Sequence, residues 1–371
     1  MGITTKLDSI SISLNKKVRS LLVTYSEYMN LYKKRSLIKK VRLTKQQKGE
    51  INEFFKRYYG KAVPCYWHRL YQSYTGVYKK DYFPEILLST KLEPFWNPYR
   101  EAELLGDKNL LPSLFSEIEL LRVPKTYASC VKGRCRNMEQ EFISFKAMNN
   151  MLFNIGSCVI KRTIGTSSGR DVQVCNIMNG IDKKSGLSLK AILKSFGENY
   201  VVQELIVQHE SLEKLNPTSI NTFRIITYYC DSIVYTCPIA LRIGRLCSDK
   251  DNIHYGGICV GVNEEGELKP KAFSEYGEYF FDHPDSHVRF HGLRVGGVNL
   301  KEIVNSVRKA HGRIPHLGLL SWDIAIDNAG TGVVIEINTT GQSAWFCQMV
   351  NGESLFGENT PKILDILNNS K

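Results

Sequence analysis

Apolar and polar residues alternate most clearly between residues 321 and 341, SWDIAIDNAGTGVVIEINTTG, on both sides of a run of turn residues, 328–332. This pattern predicts a β-hairpin, because alternation with period two is typical of half-buried strands. If the turn is centred in that run, Asp323 falls opposite Glu336, and Asn338 shares the face of Glu336. The other face is predicted to enter a core through Ile324, Ile326, Val333, Ile335 and Ile337.

The polar face of the predicted hairpin offers two carboxylates and one amide oxygen. Oxygen ligands of this kind suit a hard cation such as Mg²⁺, which keeps positions open for water and phosphate oxygens. A face that is polar only because it meets water would have the same composition. The hairpin alone therefore leaves both interpretations open.

Helical periodicity dominates the first 60 residues. Apolar residues recur at three and four between positions 14 and 43, with lysines on the other side, which predicts an amphipathic helix. Thr44 is the predicted N-cap of a second helix that ends at Gly60. Residues 61–100 are rich in aromatic residues and contain four prolines, so we expect a mostly irregular segment with short helices. Its aromatic side chains either stack on a sugar or base or pack between lobes: Trp67, His68, Tyr71, Tyr74 and Tyr82.

Beyond residue 100, predicted helices and strands are interspersed. The helices are expected at 110–118, 142–152, 299–312 and 360–367. The strands are expected at the two ends of 158–174, and at 201–207, 221–229 and 235–243.

Three basic residues lie in otherwise apolar predicted strands, namely Lys161, Arg224 and Arg242. A buried cation is costly unless it meets an anion, so these residues predict a phosphate-binding clamp, although one such arginine alone would suggest a structural ion pair. Residues 165–169, GTSSG, offer backbone N–H groups and hydroxyls to phosphate oxygens. They lack the Gly-Lys-Ser/Thr sequence of a Walker A loop, and the strand pattern that follows predicts a hairpin flap.

Composition sets the broad class. A chain of 371 residues with 43% hydrophobic content supports a large core divided into two or three lobes. No run approaches the roughly 20 apolar residues of a spanning helix, and no signal peptide is recognisable, so we expect a cytoplasmic protein. The ten cysteines lack paired metal-type spacing and are expected to be reduced.

The formal charge of +12 is concentrated at the amino terminus, because residues 1–61 carry 15 Lys and Arg but only 4 Asp and Glu. Such a segment is either a solvated helical face or a docking face. A docking face would make peripheral contact with the inner membrane surface, a glycosyltransferase or an anionic substrate. Nucleic acid is not an expected partner, because no zinc-finger, helix-turn-helix or aromatic RNA-binding pattern accompanies the charge.

Charged and amide residues follow a distinctive order along the chain: Lys108, Lys161, Gln203-Glu204, Arg224, Arg242 with Asn252, Asp323, and Glu336-x-Asn338. This order resembles the ATP-grasp superfamily. Segments such as YGKAVPCYWHRLY, VVQELIVQHESLEKLNPTSINTFRI, DNIHYGGICVGV and FDHPD look like the sugar-transfer-associated ATP-grasp family. The resemblance extends over about residues 41–367, which is most of the chain.

The resemblance implies an α+β protein with the ATP-grasp fold, in which two α+β lobes sandwich ATP. It implies three regions. Residues 1–100 would be a basic, helical and aromatic-rich extension. Residues 101–210 would form the N-terminal lobe with the glycine-rich flap, and residues 211–371 the C-terminal lobe with the magnesium site.

The resemblance also implies individual roles. For the phosphates of ATP it implies contacts from Lys108 and Lys161 and a covering flap of Gly165, Thr166, Ser167, Ser168 and Gly169. For adenine it implies an edge formed by Gln203, Glu204, Leu205 and Ile206. It also implies a ribose contact from Glu210 and a further ATP contact from Asn252. For catalysis it implies Arg224 and Arg242 on the γ-phosphate or an acyl phosphate, beside Lys161. For the metal it implies two Mg²⁺ ions held by Asp323, Glu336 and Asn338.

The activity that the resemblance implies is that of an ATP-dependent carboxylate-amine ligase. Its small-molecule substrates would be a sugar acid and an amino acid or other amine, joined in cell-surface polysaccharide biosynthesis. Two alternatives of other classes remain open. One is a phosphotransferase of the same fold, and the other is a catalytically idle nucleotide-binding module that docks on a partner.

Overall fold

The computed structural model describes residues 3–115, 117–163, 172–245, 248, 251–295 and 300–369, with side chains from residue 17 onward. The predicted flap, with Gly165, Thr166, Ser167, Ser168 and Gly169, lies outside the described residues. The described helices are α1 Ile3–Lys33, α2 Arg35–Lys40, α3 Lys45–Tyr59, α4 Tyr66–Thr75, α5 Glu85–Leu87, α6 Glu93–Trp96, α7 Tyr99–Leu105, α8 Leu111–Leu114, α9 Phe145–Met151, α10 Leu189–Ser195, α11 Glu210–Glu213, α12 Leu300–Gly312, α13 Trp345–Asn351 and α14 Thr360–Asn369.

The described strands form two sheets, one in each lobe of the fold. The smaller sheet has the order β4-β3-β2-β8-β5-β6-β7, and the larger has the order β1-β16-β15-β9-β11-β12-β13-β14, with β10 paired to β9. The strands are β1 Leu121–Arg122, β2 Thr126–Val131, β3 Arg134–Arg136, β4 Phe142–Ile143, β5 Gly156–Arg162, β6 Val172–Met178, β7 Ile181–Asp182, β8 Tyr200–Glu204, β9 Thr222–Cys230, β10 Ile233–Thr236, β11 Ile239–Ile243, β12 Ile258–Val262, β13 Leu268–Phe273, β14 Tyr279–Phe280, β15 Leu319–Ile326 and β16 Gly332–Asn338.

The predicted hairpin is present as β15 and β16, and the predicted register is confirmed because Asp323 pairs with Glu336. Four of the five expected core residues on it are buried: Ile324, Ile326, Val333 and Ile337. The prediction for Ile335 was wrong, since this side chain is half-buried and lines a cavity. The reason is a β-bulge beside Asp323 that shifts the register by one residue and leaves Ile335 without a direct partner across the strand pair.

The amino-terminal helices differ from the predicted pattern. The single helix expected over 14–43 is two helices, α1 and α2, separated at Lys34. The apolar stripe of α1 is exposed, and it consists of Val18, Leu21, Leu22, Tyr25, Tyr28, Met29 and Tyr32. Helix α3 begins and ends as predicted, because Thr44 forms a capping box with Gln47 and Gly60 adopts φ 75°.

Residues 61–100 are more helical than predicted, with α4 to α6 and a π-helical turn, Leu88–Leu92. The five aromatic side chains singled out in this segment are all buried: Trp67, His68, Tyr71, Tyr74 and Tyr82. They therefore pack between elements and do not present a stacking surface.

One hydrophobic core joins the amino-terminal region to the large sheet. It contains residues of α2 to α4 together with residues of β9, β11 to β13, α13 and α14. Helix α14 packs on α3, and α13 packs on α4. Asn97 adds polar contacts, because its amide donates to the carbonyl oxygens of Leu319 at 2.6 Å and Thr339 at 2.7 Å. The region is therefore an integral part of the larger lobe.

The remaining predicted elements are found with shifted ends. The helix expected at 110–118 ends at Leu114, and the strand expected at 235–243 is two strands separated at Pro238, which has no N–H group to donate. The nine described cysteines carry free thiols, and eight of them are buried. Among the described residues, no helix has both the length and the apolar character needed to cross a membrane.

Candidate nucleotide-binding site

A cavity of about 840 Å³ is lined by residues of both sheets. The small sheet contributes residues of β5, β6 and β8, and the large sheet contributes β9, β11, β15 and β16. The segments 203–208 and 213–220 form one wall, and the segments 251–254 and 340–346 form another. A cleft of this size between two lobes can enclose a nucleotide together with a second small molecule.

The end of β8 and the two residues after it form one edge of the cavity, because Gln203, Glu204, Leu205 and Ile206, the residues predicted for the adenine site, all line it. The Glu204 carboxylate is turned to Arg122 and to the backbone N–H of Lys125, at 2.8 Å from the latter. The amide of Gln203 donates to the Thr126 hydroxyl at 2.9 Å. The polar side chains of this edge are therefore held by the protein. Their proposed role in adenine recognition stays a prediction.

Gln208 fixes the loop that carries the next part of the wall. Its side chain donates to the carbonyl oxygens of Asn216 and Ser219 and accepts from the backbone N–H of Asn221. Within this loop, the structure places Glu210 on the surface and away from the cavity, whereas Glu213 lines it. Glu213 and not Glu210 therefore lines the cavity in this structure, and the ribose contact predicted for Glu210 stays a prediction.

Two lysines project into the cavity from opposite lobes. Lys161 on β5 is buried. Its Nζ donates to the carbonyl oxygen of Ile335, the residue at the bulge, at 3.2 Å. Burial, and then the positive charge of Lys108, lower the pKa of Lys161 to about 8. Lys108 is also buried and forms an ion pair with Glu336 at 2.9 Å. Both cations therefore lie where a polyphosphate could replace or supplement their present contacts.

The cavity is also lined by a buried cluster of two arginines and two aspartates. Asp323 accepts from Arg224 Nε at 2.6 Å and from Arg242 Nη2 at 3.0 Å. Asp251 lies 3.4 Å from Arg242 and accepts from the Thr222 hydroxyl. Burial alone would raise the pKa of Asp323, but the two guanidinium groups outweigh it and the pKa is lowered. The aspartate is therefore ionised and orients both arginines.

The three predicted metal ligands lie together on β15 and β16. Asp323 and Glu336 are direct neighbours in the strand pair, and Asn338 follows on the face of Glu336. The Asn338 Nδ2 atom is buried and has no hydrogen-bond partner among the residues that the structure describes. Among the described residues, no group of three carboxylate, histidine or cysteine side chains forms a metal cluster. The donor set is thus two carboxylates and one amide oxygen, oxygen ligands of the kind that suits Mg²⁺ completed by water and phosphate oxygens, although both oxygens of Asp323 already accept from the two arginines.

Asn252 lines the cavity as well, but its side chain is engaged locally, because Oδ1 accepts from the backbone N–H of His254 at 2.9 Å. Residues that the sequence did not single out complete the wall: Lys184, Gln208, Thr340, Gln342 and Phe346. Thr340 could have been found, because it continues the alternation of Glu336 and Asn338. The Phe346 ring lies 5.3 Å from the Arg224 guanidinium and shields it from water.

Two sheets that enclose a cleft, with a lysine from the smaller sheet facing an Asp/Glu-x-Asn strand pair of the larger, define a protein of the ATP-grasp class. The sequence model described as sugar-transfer associated ATP-grasp matches residues 87–362, and the chain belongs to this family. No curated protein matches this chain.

Solved structures give a distant likeness. N5-carboxyaminoimidazole synthetase from Staphylococcus aureus, complexed with ADP, is 10% identical with a TM-score of 0.37, over 67% of this chain and 48% of that chain. An L-amino acid ligase from Bacillus licheniformis is 15% identical with a TM-score of 0.39, over 73% and 49%. VanG D-Ala:D-Ser ligase from Enterococcus faecalis is 15% identical with a TM-score of 0.37, over 72% and 61%. The chain therefore spans about half to two thirds of the length of these proteins.

Proposed function

We propose that this protein is an ATP-dependent carboxylate-amine ligase. The observation that carries the proposal is the buried Arg224–Asp323–Arg242 cluster, at the same end of the cleft as Glu336 and Asn338. Two fixed guanidinium groups beside a metal-type donor set suit a phosphoryl group in transfer, because they neutralise charge without rearranging.

The proposed reaction has two steps. A carboxylate oxygen of the acid substrate attacks the γ-phosphorus of ATP, the bond from that phosphorus to the β–γ bridging oxygen breaks, and ADP leaves. The amine nitrogen then attacks the carbonyl carbon of the acyl phosphate, the carbon–oxygen bond to phosphate breaks, and the amine loses a proton. The products are an amide, ADP and phosphate.

The protein's part in this reaction is to position groups and neutralise charge. Lys108 and Lys161 bind phosphate oxygens, and Arg224 and Arg242 hold the transferred phosphoryl group against the acid. Bound Mg²⁺, held by Asp323, Glu336 and Asn338, would supply Lewis-acid neutralisation of the phosphates. The family description links this family to sugar transfer, and we propose on that basis a sugar acid as the carboxylate substrate and a role in cell-surface polysaccharide biosynthesis.

Product analysis tests this proposal. The purified protein is incubated with ATP, Mg²⁺, a panel of uronic acids and a panel of amines, and ADP, phosphate and amide are quantified. We expect equal amounts of all three with the correct pair. ADP with a stable phosphorylated product and no free phosphate would overturn the ligase in favour of a phosphotransferase. The matched inactive control is Glu336→Gln, because glutamine keeps the shape of this partly exposed side chain and an oxygen that can accept from the buried Lys108 Nζ.

The exposed stripe of α1 supports a second proposal, about location. Leu21 is 70% exposed and Tyr25 is 66% exposed, and the exposed basic residues Lys17, Arg19 and Lys33 lie on the same helix. Apolar and aromatic residues flanked by cations are typical of helices that lie in a membrane interface. We infer that α1 docks the enzyme on an anionic membrane surface.

Co-sedimentation with vesicles tests the location. We expect binding to vesicles that contain phosphatidylglycerol, little binding to phosphatidylcholine alone, and loss of binding in Leu21→Ser/Tyr25→Ser. The matched control is Leu187→Ser, an exposed leucine of the other lobe, which should bind normally. Equal binding by the α1 variant, or a dimer in solution that the same variant dissociates, would overturn the membrane assignment.

A further inference from the structure

A second cavity, of about 60 Å³, lies beside the nucleotide cleft. The two cavities share His254 and Ser343 in their walls. The second cavity is otherwise enclosed by the amino-terminal region and by Trp345, and its lining comprises Glu27, Asn30, Leu31, Lys34, Trp67, Leu70 and Glu85. It is therefore a side chamber at the arginine end of the cleft, formed mostly by residues of the amino-terminal region.

The chamber is joined to the candidate metal site by a short loop. This loop leaves β16 after Asn338, lines the cleft from Thr340 to Ser343, and reaches the chamber at Ser343. Glu93 accepts from the backbone N–H groups of Gly341 and Gln342, both at 2.8 Å, and so holds the loop in place. The chamber wall at Ser343 is consequently five residues along the chain from Asn338, one of the predicted metal ligands.

One carboxylate oxygen of Glu85 lacks a partner in the described part of the chain. The side chain is only 4% exposed, and Oε1 accepts from the backbone N–H of Ala344 at 2.9 Å. Oε2 has no hydrogen-bond partner among the described residues. A buried carboxylate oxygen that lacks a donor costs free energy, so its position calls for a ligand that donates. Burial, and then the nearby Glu27, raise the pKa of Glu85 well above its ordinary value, which favours the neutral acid in the empty chamber, whereas a bound cation would favour the charged carboxylate.

The two basic groups of the chamber direct their hydrogen bonds to Glu275, although the positive charge of Lys34 also acts on Glu27 and Glu85. Lys34 Nζ donates to Glu275 Oε1 at 2.9 Å, and His254 Nδ1 lies 2.8 Å from Glu275 Oε2. Lys34 Nζ also lies 4.4 Å from the ring centre of Trp345, so this indole already interacts with an ammonium group. The chamber thus combines two carboxylates with two indole rings, a combination that recognises a cationic amino group.

We propose that the side chamber binds the amino group of the amine substrate as an ammonium, with Glu85 and Glu27 as its hydrogen-bond acceptors and Trp67 and Trp345 as its walls, and that one of the two carboxylates accepts the proton that the ammonium loses before the neutral amine attacks. The proposal rests on the proposed ligase function and narrows the second substrate to a primary amine whose cationic group is small and unbranched. A bulky quaternary ammonium does not fit a chamber of about 60 Å³.

The chamber can be tested without any catalytic turnover. The chain contains four tryptophans, so protein labelled with ¹⁵N at the indole nitrogens gives four signals, which single Trp→Phe variants assign. The probe is methylammonium chloride, with methanol as the neutral analogue and tetramethylammonium as the oversized one. We expect methylammonium alone to shift the signals of Trp67 and Trp345 and to leave those of Trp96 and Trp322 unchanged.

Two variants complete the test. Glu85→Gln keeps an oxygen for the Ala344 N–H group and should weaken methylammonium binding about tenfold or more, because it removes the charged acceptor. Glu93→Gln, on a carboxylate that holds the same loop but does not line the chamber, should keep the preference for methylammonium over methanol. Equal shifts with methanol, or unchanged affinity in Glu85→Gln, would overturn the proposal. Because no product is measured, failure here is separate from failure of the ligase assay, in which Glu85→Gln should raise KM for the amine.

Discussion

We predict that Lys161 on β5 lowers the stability of the free protein but is required for nucleotide binding. Lys161 is 6% exposed and its pKa is lowered to about 8 from an ordinary value of 10.5. Since each unit of pKa corresponds to about 1.4 kcal/mol, keeping this lysine charged costs the free fold on the order of 3 kcal/mol. Lys161→Met has a similar length and no charge. We expect it to raise the free energy of unfolding by up to about 3 kcal/mol at pH 7 while abolishing ATP binding.

The stability difference between Lys161→Met and the wild-type protein should depend on pH. Below pH 8 the lysine is protonated in both the folded and unfolded states, so the cost is fully present. Between pH 8 and 10.5 the folded state loses the proton while the unfolded state keeps it, so the wild-type protein gains stability as pH rises. The advantage of Lys161→Met should therefore shrink over that range and disappear near its upper end.

Urea unfolding at pH 7 and pH 10, together with calorimetric titration of ATP and Mg²⁺, measures both effects. The control is Lys190→Met, an exposed lysine on α10 in the same lobe, which should change stability by no more than about 0.5 kcal/mol and bind ATP normally. The reasoning is refuted if Lys161→Met is less stable than wild type at pH 7, or if it binds ATP with unchanged affinity.

Three further predictions concern the cleft and its supports. Asp323→Asn should lose turnover and also about 3 kcal/mol of stability by urea unfolding, because two buried guanidinium groups lose their common anion; unchanged stability would show that water or Asp251 compensates them. Glu213→Gln should raise KM for ATP severalfold in a steady-state assay, whereas Glu210→Gln should not, and the reverse result would return the ribose contact to Glu210. Asn97→Ala should lower the free energy of unfolding by about 3 kcal/mol, because buried backbone groups lose their partners; a change below about 1 kcal/mol would contradict this.

The hairpin of β15 and β16 was predictable because local signals agree on it. The turn residues fix where the strands reverse, and alternation fixes which side chains share a face, so Asp323 is opposite Glu336 by arithmetic alone. The misplacement of Ile335 shows the limit of this reasoning. A bulge changes alternation at one residue, and here the carbonyl group at the bulge is the acceptor for Lys161, which lies 174 positions earlier in the chain.

Features that depend on distant parts of the chain were not predictable. Helical periodicity identified α1, but it could not show that the apolar stripe would remain exposed, because that depends on which face meets the body of the protein. No sequence pattern indicated a binding role for Glu85, because its carboxylate is positioned by the backbone N–H of Ala344, which lies 259 positions later in the chain. For the same reason the spacing along the sequence selected Glu210 and not Glu213 for the cleft.

Because the amino-terminal region and the large sheet share one core, the segment that folds together is longer than the segment that matches the family. The family match begins at residue 87, yet α2 to α4 lie before that residue and pack on α13, α14 and the sheet. A fragment trimmed to the match would open that side of the lobe to water, and we expect it to aggregate. The amino-terminal helices thus belong to the folding unit of the larger lobe, and most residues that enclose the side chamber lie before the matched segment.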